Sequence, residues 1–141
     1  MTARKSHVSS PIDCSIILVV DNDQPVRLLL HKILERAGFR VLEASNGWEA
    51  LALFQANRSQ VELLLTDFDV PGRNGVELAI QIRRERPNLP VVFISTEPPD
   101  FETMSRPSGC LWMSKPFRIG ELLRCVQVAL DRAEQQERLP A

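Results

Sequence analysis

Five short stretches rich in apolar residues, each followed by a polar break, constrain this chain more than any other feature. They lie at 16–20, 39–44, 61–66, 91–95 and 110–113. Runs of this length bounded by turn residues read as buried strands. The first, Ile16-Ile17-Leu18-Val19-Val20, has no polar alternation, which predicts burial on both faces. Helical periodicity fills the gaps. Asp23 or Asn22 can cap a first helix with Pro25 in its opening turn, an apolar stripe of Val26, Leu29, Leu30, Ile33, Leu34 and Ala37, and Gly38 as its stop. A second helix carries Trp48, Leu51 and Phe54 inward. A third spans 75–86, with Val76, Leu78, Ala79 and Ile82 inward, and Pro87 ends it. The last spans 118–137 on a stripe of Ile119, Leu122, Leu123, Val126, Leu130 and Ala133. Strands alternating with helices predict a parallel sheet, and right-handed crossovers put helices on both of its faces.

The connection at 97–109 breaks the rhythm. It holds Pro98, Pro99 and Pro107 and ends on Gly109. Proline lacks the amide donor and clashes with the preceding turn, so any helix there is short or irregular.

At 141 residues the chain suits one domain with a real core. Residues 1–15 read as a flexible arm, 16–135 as the folded domain and 136–141 as a frayed tail. A net charge of -1 gives no basic field for direct nucleic-acid binding. No apolar span suits a membrane, and no secretory pattern opens the chain. Cys14, Cys110 and Cys125 are scattered and odd in number, which is neither a disulfide framework nor a metal spacing; a cytoplasmic setting follows.

The polar breaks carry the chemistry. Asp21-Asn22-Asp23 follows the first strand, Asp67-Phe68-Asp69 the third, Ser95 the fourth and Lys115 the fifth. Parallel strands bring all of these to one edge, where open α/β sheets bind ligands. Each residue has a plain structural use: Asp23 as a cap, Ser95 as a strand terminus, Lys115-Pro116 as a loop. Together they form an oxygen-rich cluster with one ammonium. Clustered carboxylates need a cation to relieve their repulsion, and hard oxygens suit Mg²⁺. An aspartate flanked by Mg²⁺, a lysine and a hydroxyl can act as a nucleophile toward phosphorus.

In that order, Leu18-Val19-Val20-Asp21-Asn22-Asp23, Asp67 with Pro71 and Gly75, Ile94-Ser95-Thr96 and Lys115-Pro116-Phe117 resemble the response-regulator receiver domain of two-component signalling, from about residue 16 to 133. The resemblance implies a doubly wound, flavodoxin-like fold of five parallel strands in the order 2-1-3-4-5, an order already established for this kind of fold. It implies that Asp67 accepts a phosphoryl group from a histidine kinase or phosphotransfer protein, and that signalling proceeds by contact with a further, unidentified protein. The domain then catalyses its own phosphorylation and dephosphorylation but turns over no outside substrate. Asp21, Asn22, Asp67 and the Asp69 carbonyl are implied Mg²⁺ ligands, with the Asp69 side chain facing the attacking water in dephosphorylation. Lys115 and Ser95 are implied phosphoryl contacts, Ser95 and Trp112 a switch pair, and Lys115–Pro116 a cis peptide.

Two departures stand out. Asn22 occupies the place of a second acid, so its ligand is neutral, with Asp23 able to compensate through water. The proline-rich connection replaces the helix that usually forms part of the output face. Both features suit an alternative, a pseudo-receiver that binds protein without phosphate. An aspartyl-phosphate phosphatase of the haloacid dehalogenase type ranks lower, because its Asp-x-Asp follows the first core strand. A flavodoxin ranks lower too, because the first loop is acidic and lacks phosphate-cradling glycines.

Overall fold

Alternate side chains of the first strand, β1 (Ile16–Val20), feed two different cores. Ile16, Leu18 and Val20 point into one, Ile17 and Val19 into the other, and all five are buried. Side chains alternate faces along a strand, so a strand covered on both sides needs a continuous apolar run. Each such side chain contributes roughly 1.5–3 kcal/mol on burial.

The structure is a computed structural model that describes residues 15–70, 74–96 and 109–138. After β1 come α1 (Gln24–Arg36), β2 (Arg40–Ala44), α2 (Gly47–Ala56), β3 (Val61–Asp67), α3 (Gly75–Arg83), β4 (Val91–Ser95), β5 (Cys110–Ser114) and α4 (Ile119–Arg138). All pairings are parallel and the order is β2-β1-β3-β4-β5, as expected. One core packs Phe54 of α2 and Leu78 and Ile82 of α3 on the sheet. The opposite core packs Leu30 and Leu34 of α1 with Leu122 and Val126 of α4. The expected arm, apart from Ser15, and the proline-rich stretch 97–108 lie outside the described residues.

Asp23 caps α1, accepting from the Val26 backbone N–H at 3.3 Å. Gly38 leaves the helix at a φ of 102°, a left-handed turn that glycine adopts without strain.

Several expectations need correction. Trp48 is 63% exposed rather than inward; Ala50 and Phe54 make the buried side of α2. Leu29 and Ile119, assigned to inward stripes, are also exposed, and so is Ala37. Helical spacing alone cannot separate the flank of an apolar stripe from its centre. The third helix ends at Arg83, not 86, because the backbone tightens through Arg84, Glu85 and Arg86 before Pro87. β3 runs one residue further than expected and takes in Asp67, which pairs with Ile94 of β4. The last helix runs from Ile119 to Arg138, one residue later at each end than expected.

Candidate functional site

The carboxyl ends of β1, β3 and β4 and the segment after β5 meet at an open cleft of about 530 Å³. Asp21, Asn22, Asp67, Asp69, Ser95 and Lys115, all singled out from the sequence, line it together with Asp23 and Thr96. Trp112 lies apart from the cleft. Its ring meets Phe68 edge-on at 5.4 Å between centroids and lies 6.0 Å from Phe93. Phe68 follows Asp67 directly, so this aromatic trio forms packed flooring next to the acid.

Lys115 organises the charges. Its Nζ lies 2.9 Å from Asp21 Oδ2 and 3.4 Å from Asp67 Oδ2, so one ammonium bridges two carboxylates from different strands. The Asp21 side chain is only 2% exposed, against 19% for Asp67. Burial raises the Asp67 carboxyl above its ordinary value; Lys115 pulls it back, the Asp21 charge pushes it up again, and the Asp69 backbone N–H lowers it slightly. Burial acts to lower the Lys115 ammonium, but its bonds and charge pairing with Asp21 and Asp67 more than offset this and hold it raised. At neutral pH the lysine stays charged between the two acids.

Asp21 is tethered at every polar atom. Its N–H donates to the Ala44 carbonyl at 3.1 Å, and its Oδ1 accepts the Asp23 N–H at 2.9 Å. Lys115 holds Oδ2, and Arg27 Nη1 donates to its backbone carbonyl at 2.6 Å. Asp23 spends Oδ1 on the α1 cap. Asn22 and Asp69 are exposed on the cleft. Ser95 is buried at the end of β4, and its carbonyl accepts the Lys115 N–H at 2.8 Å. The Lys115–Pro116 peptide is cis.

Gly75 closes the loop after Asp67. Its N–H donates to the Phe68 carbonyl at 2.6 Å, which draws the start of α3 onto the end of β3. A Cβ at Gly75 would lie 2.6 Å from the Asp67 carbonyl oxygen and 3.0 Å from that of Phe68. Its φ is not positive, so the need for glycine is close backbone approach, not turn conformation. Asn74 caps α3 by accepting the Glu77 N–H at 2.8 Å.

Sequence reasoning missed Arg27 and Glu43. Arg27 Nε lies 3.0 Å from Glu43 Oε1 on β2, and His31 Nδ1 bonds Glu43 Oε2. A usable signal existed: Arg27 shares a helical face with His31 at i+4 and with buried Leu30 and Leu34 at i+3 and i+7. Among the described residues, no three acidic, histidine or cysteine side chains gather as a metal group. The oxygens that could hold one are two carboxylates, the Asn22 amide and the Asp69 carbonyl.

A 2-1-3-4-5 sheet thus carries two acids and a lysine at its carboxyl edge, an arrangement that fits a receiver-type domain. The family model for the response regulator receiver domain matches residues 17–127, and the chain belongs to that family. The DNA-binding transcriptional regulator NtrC of Bradyrhizobium sp. (strain RP501 Parasponia) is 36% identical over 129 residues, covering 89% of this chain and 26% of that protein. The alkaline phosphatase synthesis transcriptional regulatory protein PhoP of Bacillus subtilis is 32% identical over 120 residues, covering 84% of this chain and 49% of that protein. The chain thus spans half or less of these two relatives. Among solved structures, chemotaxis protein CheY4 of Vibrio cholerae superimposes with a TM-score of 0.74 at 27% identity, covering 82% of this chain and 98% of that one. A receiver domain protein from Clostridium thermocellum gives 0.76 at 23% identity, covering 86% and 98%, a likeness of fold.

Receiver domains are phosphoacceptors of two-component signalling rather than enzymes acting on an outside substrate. They generally bind Mg²⁺ at the phosphorylation site and interact with histidine kinases or phosphotransfer proteins. Among the described residues no helix is long and apolar enough to cross a membrane.

Proposed function

We propose that Asp67 accepts a phosphoryl group from the phosphohistidine of a kinase or phosphotransfer protein. The observation that carries this reading is the Lys115 ammonium set between Asp21 and Asp67, 2.9 and 3.4 Å away. In the transfer, an Asp67 carboxylate oxygen attacks phosphorus. The new O–P bond forms as the donor's N–P bond breaks, and the imidazole nitrogen keeps the electron pair. Lys115 then neutralises a phosphoryl oxygen, and the Ser95 hydroxyl donates to another. Hydrolysis by water, guided by Asp69, would reverse the state.

The oxygen set fits Mg²⁺, which typically takes one or two carboxylates and keeps several waters. Asp21, Asn22, Asp67 and the Asp69 carbonyl would hold it. When bound, it supplies charge neutralisation at the phosphoryl oxygens. Ser95 and Trp112 would relay the state, because Trp112 packs on the residue after Asp67. The reading extends to a receiver unit at 16–135, supported by the family match over 17–127, working in the cytoplasm through a downstream protein.

The test is incubation with acetyl phosphate and Mg²⁺, read by intact mass. One phosphate adduct that requires Mg²⁺ and is lost in Asp67→Asn is the expected result. A second reading, a pseudo-receiver that binds protein without phosphate, is favoured by one observation: Lys115 already pairs with both carboxylates, which leaves one net negative charge among the three groups, and Asn22 adds none to attract a metal. Absence of any adduct at saturating Mg²⁺ would select it.

A further inference from the structure

We infer that Arg27, backed by Glu43, is a positioning residue that holds the turn Asp21-Asn22-Asp23 in the geometry that binds a divalent cation. The inference rests on the phosphoacceptor reading for its purpose, but it stands on separate contacts. Arg27 Nη1 donates to the Asp21 carbonyl at 2.6 Å, and Nε bonds Glu43 Oε1 at 3.0 Å. Glu43 is held in turn by His31 Nδ1. The Arg27 and Glu43 side chains are 14% and 24% exposed, so the pair is largely shielded from competing water.

The bonded carbonyl belongs to the Asp21–Asn22 peptide. Fixing its oxygen fixes the plane of that peptide, since the bond does not rotate. The plane sets the N–Cα bond of Asn22, and the Asp23 N–H bond to Asp21 Oδ1 at 2.9 Å holds the following peptide, so together the two contacts set where the Cα–Cβ bond of Asn22 points. A carboxylate ligand is drawn to a cation by its charge even when loosely held. A neutral amide has only its dipole, so more of its worth as a ligand depends on being held in place before binding. Glu43 neutralises Arg27, so the guanidinium orients the turn without adding net positive charge beside the cation. A planar fork that donates along two edges suits this task, whereas a lysine offers one point charge.

The test is Mg²⁺ titration of the full chain, followed by NMR shifts of the Asn22 and Asp23 amides, together with acetyl phosphate uptake. Arg27→Met keeps the aliphatic length and removes both donors. Its apparent Kd for Mg²⁺ is expected to rise about fivefold to tenfold, with the phosphorylation rate at saturating Mg²⁺ within about twofold of the parent. Arg27→Lys should recover part of the affinity, and Glu43→Gln should give a smaller loss than Arg27→Met. Mere structural damage would lower the melting temperature and leave the Kd of the folded protein alone. If Arg27→Met does not fold, the Glu43→Gln and Arg27→Lys titrations carry the test. An unchanged Kd in every variant that folds overturns the inference, as does a parent chain that binds no Mg²⁺. A parent that binds Mg²⁺ but takes no phosphate sinks the phosphoacceptor reading alone, and the Kd ratios still decide the role of Arg27.

Discussion

Replacing Gly75 with alanine puts one methyl group where β3 and α3 nearly touch. The added carbon meets the Asp67 carbonyl oxygen at 2.6 Å, the Phe68 oxygen at 3.0 Å and the Phe68 Cα at 3.2 Å. All three are backbone atoms, so no side chain can swing aside. Both flanks are also tethered: Phe68 N–H bonds the Ile94 carbonyl at 3.1 Å, and Asn74 caps α3. Forcing a methylene into a packed site costs ~1–3 kcal/mol. Weakening the Gly75 to Phe68 hydrogen bond adds ~0.5–1.5 kcal/mol. Against this, alanine favours a helix interior by at most ~1 kcal/mol, and less in its first turn. The loss wins, by about 2–3 kcal/mol. Urea denaturation at pH 7 measures it, with an unchanged m-value showing that the unfolded state is not the cause. The displaced Asp67 carbonyl should also slow phosphate uptake from acetyl phosphate. Stability equal to or above that of the parent would refute the close-approach reasoning.

The other expected outcomes concern the acids and their lysine. Asn22→Asp restores a charge to the proposed ligand set and should tighten Mg²⁺ about tenfold, or ~1.4 kcal/mol, by calorimetric titration; equal affinities would show that another group already supplies that ligand. Asp67→Asn should be more stable than the parent at pH 7. The folded-state value of Asp67 is raised, so the native state binds more protons in the window above 3.8, and parent stability falls as pH rises through it. The advantage of the variant in urea midpoint should therefore shrink as pH drops from neutrality toward 3.8, and a pH-independent difference would contradict the raised value. Lys115→Met leaves Asp21, 2% exposed, and Asp67 without their counter-charge. Partial exposure of Asp67 keeps the cost at about 2–3 kcal/mol, below that of a fully buried pair. Denaturation would show it, and a loss under ~0.5 kcal/mol would demote the bridge to a surface contact.

The sheet was legible because β1 and β4 carry continuous apolar runs and β3 holds Leu63-Leu64-Leu65, stretches that few other structures can bury. The site was legible because strand ends are easy to find, and the parallel order then gathers Asp21, Asp67, Ser95 and Lys115. What lies across space was not legible. Arg27 and Glu43 are 16 residues apart, and both are of a type that normally faces water. Their pairing depends on the register of β2 beside β1, where Val19 lies opposite Glu43. The need for glycine at position 75 was not legible either, since a close approach between backbones leaves no trace in composition. Trp48, Leu29 and Ile119 were misplaced for a related reason. Period marks a helical face, but only the packed neighbours decide how wide the buried stripe is.

The central claim is that phosphate goes to Asp67. Borohydride reduces an aspartyl phosphate to homoserine, so the chain treated with acetyl phosphate and Mg²⁺ can be trapped, digested and sequenced by mass spectrometry. Homoserine at position 67 alone, dependent on Mg²⁺ and absent without acetyl phosphate, is the expected result. Homoserine at Asp21, Asp23 or Asp69 with position 67 unmodified would contradict the claim.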